Sequence, residues 1–287
     1  MNQSIVGILW MVITTILFVG VTAAVRYLEG EIPAPQAAFL RYAIGTVLLT
    51  PSLISLVKIR PEKPLLQKFV LRGLVHSIGV TLWFYAMSVM PVAEVTAIGF
   101  LTYIFVSIGA CIFLKEKLHK HRLTAILFSF VGAMIILRPG LNVIDPASFI
   151  VIGAAFCYAL AYITTKSMTK TEHPLAVLFY MNLIQFLIAA IPVSFVWITP
   201  SLLDIKWILL VGIGGFFSHY CLTRAFQVAD TLTVIPIDFM RLPIIAIIGY
   251  FFYNEGLDIS LLFGAVIIFV GNYYNIRYES VQIDQSK

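Results

Sequence analysis

The feature that most constrains this chain is a series of apolar stretches, each near twenty residues, that recurs from one end to the other. At about 1.5 Å of rise per residue, such a stretch crosses the roughly 30 Å hydrocarbon layer of a bilayer. The stretches read as Ile5–Val25, Gln36–Val57, Phe69–Met90, Val92–Leu114, Leu123–Leu137, Phe149–Thr165, Leu175–Trp197, Ile205–Phe226, Leu232–Tyr253 and Ser260–Ile276. Turn-forming residues fall between them: Pro33 and Pro35, Pro61 and Pro64, Pro91, Pro139-Gly140, Pro174, Pro200 and Gly256. Hydrophobic residues make up 60% of the 287 and charged ones 11%, whereas a soluble domain carries roughly 25% charged residues. Lipid must therefore replace water around most of the surface. The expected fold class is an all-α membrane protein with ten transmembrane helices.

The charges support a membrane topology. The net charge is +5 and the pI about 9.1, but the basic residues crowd into short gaps between apolar runs. With the N-terminus inside, fourteen fall on cytoplasmic segments: Lys58, Arg60, Lys63, Lys68, Arg72, Lys115, Lys117, Lys120, Arg122, Lys166, Lys170, Arg224, Arg277 and Lys287. Only Arg26, Arg138 and Lys206 fall outside, while Arg41 and Arg241 lie within spans. This bias places both termini in the cytoplasm of a multi-pass inner (plasma) membrane protein. It also explains the basic pI without nucleic-acid binding. Cys111, Cys157 and Cys221 all lie in apolar runs with no CxxC spacing, so neither a metal site nor a disulfide framework is expected. No cofactor is expected. The opening Met1-Asn2-Gln3-Ser4 lacks a basic n-region, and the first stretch reads as a retained helix.

The chain repeats itself at a shift of 139 residues, which pairs Glu116 with Glu255 and Phe130-Val131-Gly132 with Phe269-Val270-Gly271. Ala86 and Ala225, Val95 and Val234, and Leu118 and Leu257 match in the same register. Five spans per half is an odd number, so the second half enters the bilayer from the opposite side. The organisation expected is residues 1–140 as one five-helix repeat, 147–277 as an inverted second, and 278–287 as a cytoplasmic tail. Inverted repeats are the usual frame of alternating-access transporters.

The segment YAMSVMPVAEVTAIGFLTYIFVSIGACIFLKEKL, followed by FVGAMIILRPG, and the later LTRAFQVADTLTVIPIDFMRLPIIAIIGYFFYNEGLD resemble the repeat of the drug/metabolite transporter superfamily, EamA-type branch. The resemblance covers nearly the whole chain. Within the branch the chain is similar to S-adenosylmethionine uptake carriers and to exporters of amino acids and other metabolites. The resemblance implies a central cavity built by helices one to four and six to nine, with the fifth and tenth outside that core. One departure stands out. Members often carry proline where this chain has Tyr103, which puts a break of the fourth span in doubt, while Pro243 remains in the ninth.

Ionisable groups inside the spans mark the candidate site, because each costs about 2.5–3.5 kcal/mol on insertion scales. Asp238 and Arg241, at i and i+3, share a helix face. Either they line a cavity, Arg241 holding an anionic group and Asp238 an ammonium, or they neutralise each other and lock the helix. Arg41 either snorkels outward or faces the cavity mouth. The second reading is preferred because Phe39-Leu40-Arg41-Tyr42 resembles a segment where the family often places arginine. His76 and His219 are ligand or packing residues; Arg72, one turn before His76, reads as a cytoplasmic interface charge. Gly212, Gly214 and Gly215 read as helix-packing residues. Glu94 is a proton-coupling carboxylate or a helix N-terminal acid, and Asp238 is a second coupling candidate. Glu116 and Glu255 read as anchors. Trp83, Tyr85 and Tyr103 are chosen to line the cavity by stacking or cation–π contact.

The expected function is secondary transport of a small polar metabolite, amino-acid-like or S-adenosylmethionine-like, across the inner membrane by alternating access. A membrane-embedded enzyme and a channel are the rival classes. The sequence holds no HExxH, GxSxG or GxxxxGK, and shows no continuous polar stripe. The partners expected are the small-molecule substrate and the lipid bilayer; a homodimer is left open.

Overall fold

A computed structural model describes residues 3–28, 31–52, 63–90, 95, 98–99, 101–137, 147–169, 171–253 and 259–284. The described residues are helical throughout, with no strand. They form α1 (Gln3–Leu28), α2 (Ala34–Leu49, continued by a 3₁₀ turn Thr50–Ser52), α3 (Lys63–Val89), α4 (Leu101–Phe113), α5 (Lys120–Leu137) and α6 (Ala147–Met168). After these come α7 (Pro174–Val193), α8 (Leu202–Val228), α9 (Thr231–Asp238), α10 (Arg241–Tyr253) and α11 (Ile259–Asp284). Counting α9 and α10 as one interrupted span, six are long and apolar enough to cross a membrane, and two shorter apolar segments lie at Leu101–Phe113 and Leu262–Tyr274. The chain is a multi-pass helical membrane protein.

The ninth span breaks at Phe239–Met240, and the cause is local. Pro243 has no N–H to offer the Phe239 carbonyl, and its ring clashes with that carbonyl in a regular helix. The Phe239 carbonyl instead accepts from Leu242 N at 3.1 Å, and Met240 N donates to Ile237 O at 3.0 Å, the tighter 3₁₀ pattern. Tyr103 lies inside the continuous helix α4. The residues from 91 to 94 and residue 100 lie outside the described set, and with them Glu94, as does Glu255.

Helix pairs run antiparallel. Along α1 and α8, Gly7 lies against Ala229, Thr14 donates to Ser218 O, Val21 faces Gly214, and Tyr27 stacks on Trp207 at 4.5 Å. Along α3 and α6, Arg72 meets Thr165 and Gly79 lies against Cys157 and Ala154. Helix α5 packs on α11, with Gly132 at Gly264 and Gly271 at Ala125, and α2 packs on α7, with Gly45 at Asn182 and Gln36 at Ile198. Glycines sit at these crossings because a Cβ there would strike the neighbouring helix; at Gly132 it would come 2.6 Å from the Gly264 carbonyl. Close approach substitutes for the hydrophobic drive that lipid does not supply. Hydroxyls in the apolar runs bond their own helix: Thr22, Thr46, Thr81 and Thr164 each donate to the carbonyl four residues back. Arg72, His76 and Asp238 find partners on other helices instead, at Thr165, Gln185 and Thr15.

Candidate functional site

The break in the ninth span positions the central ion pair. Asp238 ends α9 and Arg241 begins α10, so the carboxylate and guanidinium flank the turn. Arg241 Nη2 donates to Asp238 Oδ2, Tyr103 OH from α4 donates to the same oxygen, and Thr15 Oγ1 from α1 donates to Oδ1 at 2.8 Å. Asp238 is fully buried. Three donors from three helices thus hold one carboxylate, and Arg241 is oriented by it. The phenol that stands where the resemblance expects proline in α4 reaches the break of the other half.

On the cavity side of this anchor lies a space of about 110 Å³. Arg41, His76, Trp83, Tyr103, His219 and Arg241 line it, with Gly99, Thr102, Phe18, Tyr158 and Tyr162. Apart from Gly99, the described wall residues come from α1, α2, α3, α4, α6, α8 and α10, and none from α5 or α11; α7, expected in the wall, contributes none and meets it only through Gln185 behind His76. Thr102 and Arg241, equivalent at the 139-residue shift, both face it.

Aromatic and imidazole rings connect the wall. The Arg241 guanidinium lies 4.7 Å from the Phe18 ring centre, Phe18 meets His219 edge-on at 5.3 Å, and His219 meets His76 at 4.8 Å. Gln185 Nε2, from α7, donates to His76 Nδ1 at 2.7 Å. Arg41 Nη1, His219 Nδ1, Gln185 Oε1 and Arg241 Nε are buried without a hydrogen-bond partner. A Cβ on Gly215 would come 2.5 Å from Arg41 Nε; this glycine of α8 makes room for the guanidinium. Gly212 and Gly214 take Ile44 and Val21 instead. Among the described residues no group of three His, Cys, Asp or Glu side chains is placed to hold a metal ion.

Some expectations change. Tyr85 does not line the cavity; it is half-exposed on the outside of the bundle. It follows His76 by nine residues, a rotation of about 180° on the helix, whereas residues 80, 83 and 84 stay on the cavity side. Asp238 stands behind Arg241 and does not itself line the space. Arg72 is not an interface charge: α3 starts at Lys63, well before the apolar run, and carries Arg72 into the bundle with no exposed surface. Its Nε donates to Thr165 Oγ1, while Nη1 and Nη2 are buried and unpartnered. Gln185 and Phe18 were not singled out from sequence. An uncharged amide inside an apolar run, as at Gln185, is the signal that could have found the first.

One end of the bundle is differently built. There the α8–α9 turn is gripped from three sides. Lys166 Nζ, from α6, donates to Phe226 O at 2.7 Å and Ala229 O at 2.5 Å. Glu116 accepts from Thr231 N and Leu232 N, both at 3.1 Å, neutralising the N-terminus of α9. Arg122 pairs with Asp230 at 3.1 Å. The left-handed backbone of Lys115 (φ 56°) turns the chain just before Glu116. Along α6 the cavity residues run from Val151 to Tyr162, and grip residue Lys166 lies one helical turn beyond, about 6 Å further at helical rise.

The sequence profile of the EamA-like transporter family matches residues 5–138 and again 146–277. The chain is 28% identical to the S-adenosylmethionine uptake transporter of Rickettsia bellii, over 96% of this chain and 94% of that one. It is 29% identical to the riboflavin transporter of Vibrio cholerae, over 96% and 94% respectively. A solved crystal structure matches 96% of both chains with a TM-score of 0.78 at 13% identity, a likeness of fold alone.

Proposed function

Because this chain belongs to the EamA-like transporter family, we propose that it is a secondary carrier moving an amino-acid-like or S-adenosylmethionine-like metabolite across the inner membrane by alternating access. The family and the named relatives carry small molecules, and transport of a small molecule is the coarser statement on which the rest stands. The observation that carries the finer reading is the cavity itself. Four ionisable side chains, Arg41, His76, His219 and Arg241, converge on it from four helices, and several of their donor and acceptor atoms lack a protein partner. Groups left unsatisfied at such a cost are suited to a polar ligand.

Two oppositely inserted repeats fit the packing. Exchanging the halves turns the α1–α8 pair into α6–α3. It also turns the Gly132–Gly264 contact into Gly271–Ala125, an equivalent position. Equivalent helices α5 and α11, and α2 and α7, cross antiparallel, as inversion requires. The cavity and the gripped α8–α9 turn lie at different depths, a layout suited to a carrier closed at one end. Under the charge asymmetry the gripped end and both termini are cytoplasmic. Asp238 serves as the positioning residue of Arg241, held there by Thr15 and Tyr103.

Uptake by purified protein in proteoliposomes tests the reading. Flux that saturates with solute concentration supports a carrier. Non-saturating conductance would assign a channel, and no flux of any polar metabolite would reject transport.

A further inference from the structure

Resting on the carrier reading, we propose that Arg41 is the seat of a carboxylate on the transported molecule, and that this selects amino-acid-like solutes over neutral flavin-like ones. Arg41 is buried, its Nη1 has no hydrogen-bond partner, and no carboxylate pairs with it among the described residues. Among the described residues, the carboxylate nearest the site is Asp238, which is already engaged by Thr15, Tyr103 and Arg241. The wall of the cavity therefore carries two guanidiniums and has one opposing charge. A buried cation with no counter-charge is costly, and the cost is relieved when a ligand brings the anion.

Two further observations bear on Arg41 in particular. Gly215 of α8 leaves the space its guanidinium occupies, since any Cβ there would fall 2.5 Å from Nε. His219, one helical turn further along α8, lines the same cavity with Nδ1 unpartnered, adding a hydrogen-bonding site beside the fork. One unopposed guanidinium matches a monoanion, and the planar fork matches both carboxylate oxygens. Arg72, one turn from His76 on α3, has both terminal nitrogens unpartnered and makes the region behind the histidines more positive still. The two kinds of relative differ in this chemistry: S-adenosylmethionine bears an α-carboxylate and riboflavin bears none.

The test is equilibrium binding to the purified full chain of two matched pairs: S-adenosylmethionine with its decarboxylated analogue, and L-methionine with 3-methylthiopropylamine. Riboflavin is the neutral comparison. The wild type should prefer the carboxylate member of at least one pair by ~30-fold or more, the lower end of what losing one partner of a buried charge pair costs. Arg41→Gln should abolish that preference and Arg41→Lys should retain part of it. If Arg41→Gln does not fold, Gly215→Ala, which crowds the guanidinium, should narrow the preference by about tenfold. Equal binding of both members, tighter binding of riboflavin, or a preference that survives Arg41→Gln would overturn the proposal, as would no binding by any probe. Saturable proteoliposome flux of riboflavin alone would overturn it while leaving the carrier reading intact. Absence of saturable flux for every solute would remove both.

Discussion

The cavity and the gripped α8–α9 turn both gather charged side chains, and the charges are satisfied in opposite ways. At the turn, Lys166 meets two carbonyls, Glu116 accepts from two amides and Arg122 pairs with Asp230. At the cavity, Arg41, His219, Gln185 and Arg241 each keep a buried polar atom without a partner. Charge that is matched within the protein holds helices together. Charge that is left unmatched, at a cost the fold must absorb elsewhere, is kept for something that comes and goes.

The largest effect that would sharpen this contrast comes from the one place where the two kinds of region meet, the Asp238–Arg241 pair. Asp238→Ala and Arg241→Ala should each lower uptake by more than ~100-fold with normal membrane insertion, because removing one partner of a buried pair costs about 3–5 kcal/mol. The comparison breaks if the double exchange, Asp238→Arg with Arg241→Asp, keeps full uptake, for then the pair is only a brace. Next in size is Tyr103→Phe. It removes one of three donors to a buried carboxylate, worth about 1.5–3 kcal/mol, and should reduce uptake by about tenfold while leaving the amount of inserted protein unchanged.

The grip should respond in stability rather than in recognition. Glu116→Ala uncaps α9 and should cost about 1 kcal/mol, read as a fall of a few degrees in the thermal unfolding of the purified protein. Ligand affinity should change less than after Arg41→Gln. A larger loss of affinity than of stability would erase the distinction between the two regions. The smallest effect is expected at Tyr85, half-exposed outside the bundle. Tyr85→Ala should leave uptake within about twofold of wild type, the range of surface substitutions.

Helix number and fold class were legible because apolar length is a property of the sequence alone, independent of which helix meets which. Pro243 marked the break in the ninth span, and the i, i+3 spacing marked Asp238 with Arg241. What was not legible depends on rotation and on partners. Tyr85 reads as a lining aromatic from residue type alone, although nine residues of helix turn it away from His76. Arg72 near the start of its apolar run reads as an interface charge, yet the helix begins earlier and Thr165 awaits it on α6. Gln185 acquires meaning only through His76, 109 positions away. The grip was legible in part: Glu116 reads as an anchor from sequence, but its target, the backbone of another helix, does not.

The central claim, that access to the basic cavity alternates between the two ends, is tested most directly by paired distances between spin labels in a cysteine-free background. One pair, at Lys117 and Gln227, spans the gripped end; the other, at Ser88 and Phe251, spans the opposite end. The account predicts two populations in which one distance lengthens as the other shortens, with transported solute shifting their balance. Distances that stay fixed at both ends, or that lengthen together, would contradict it.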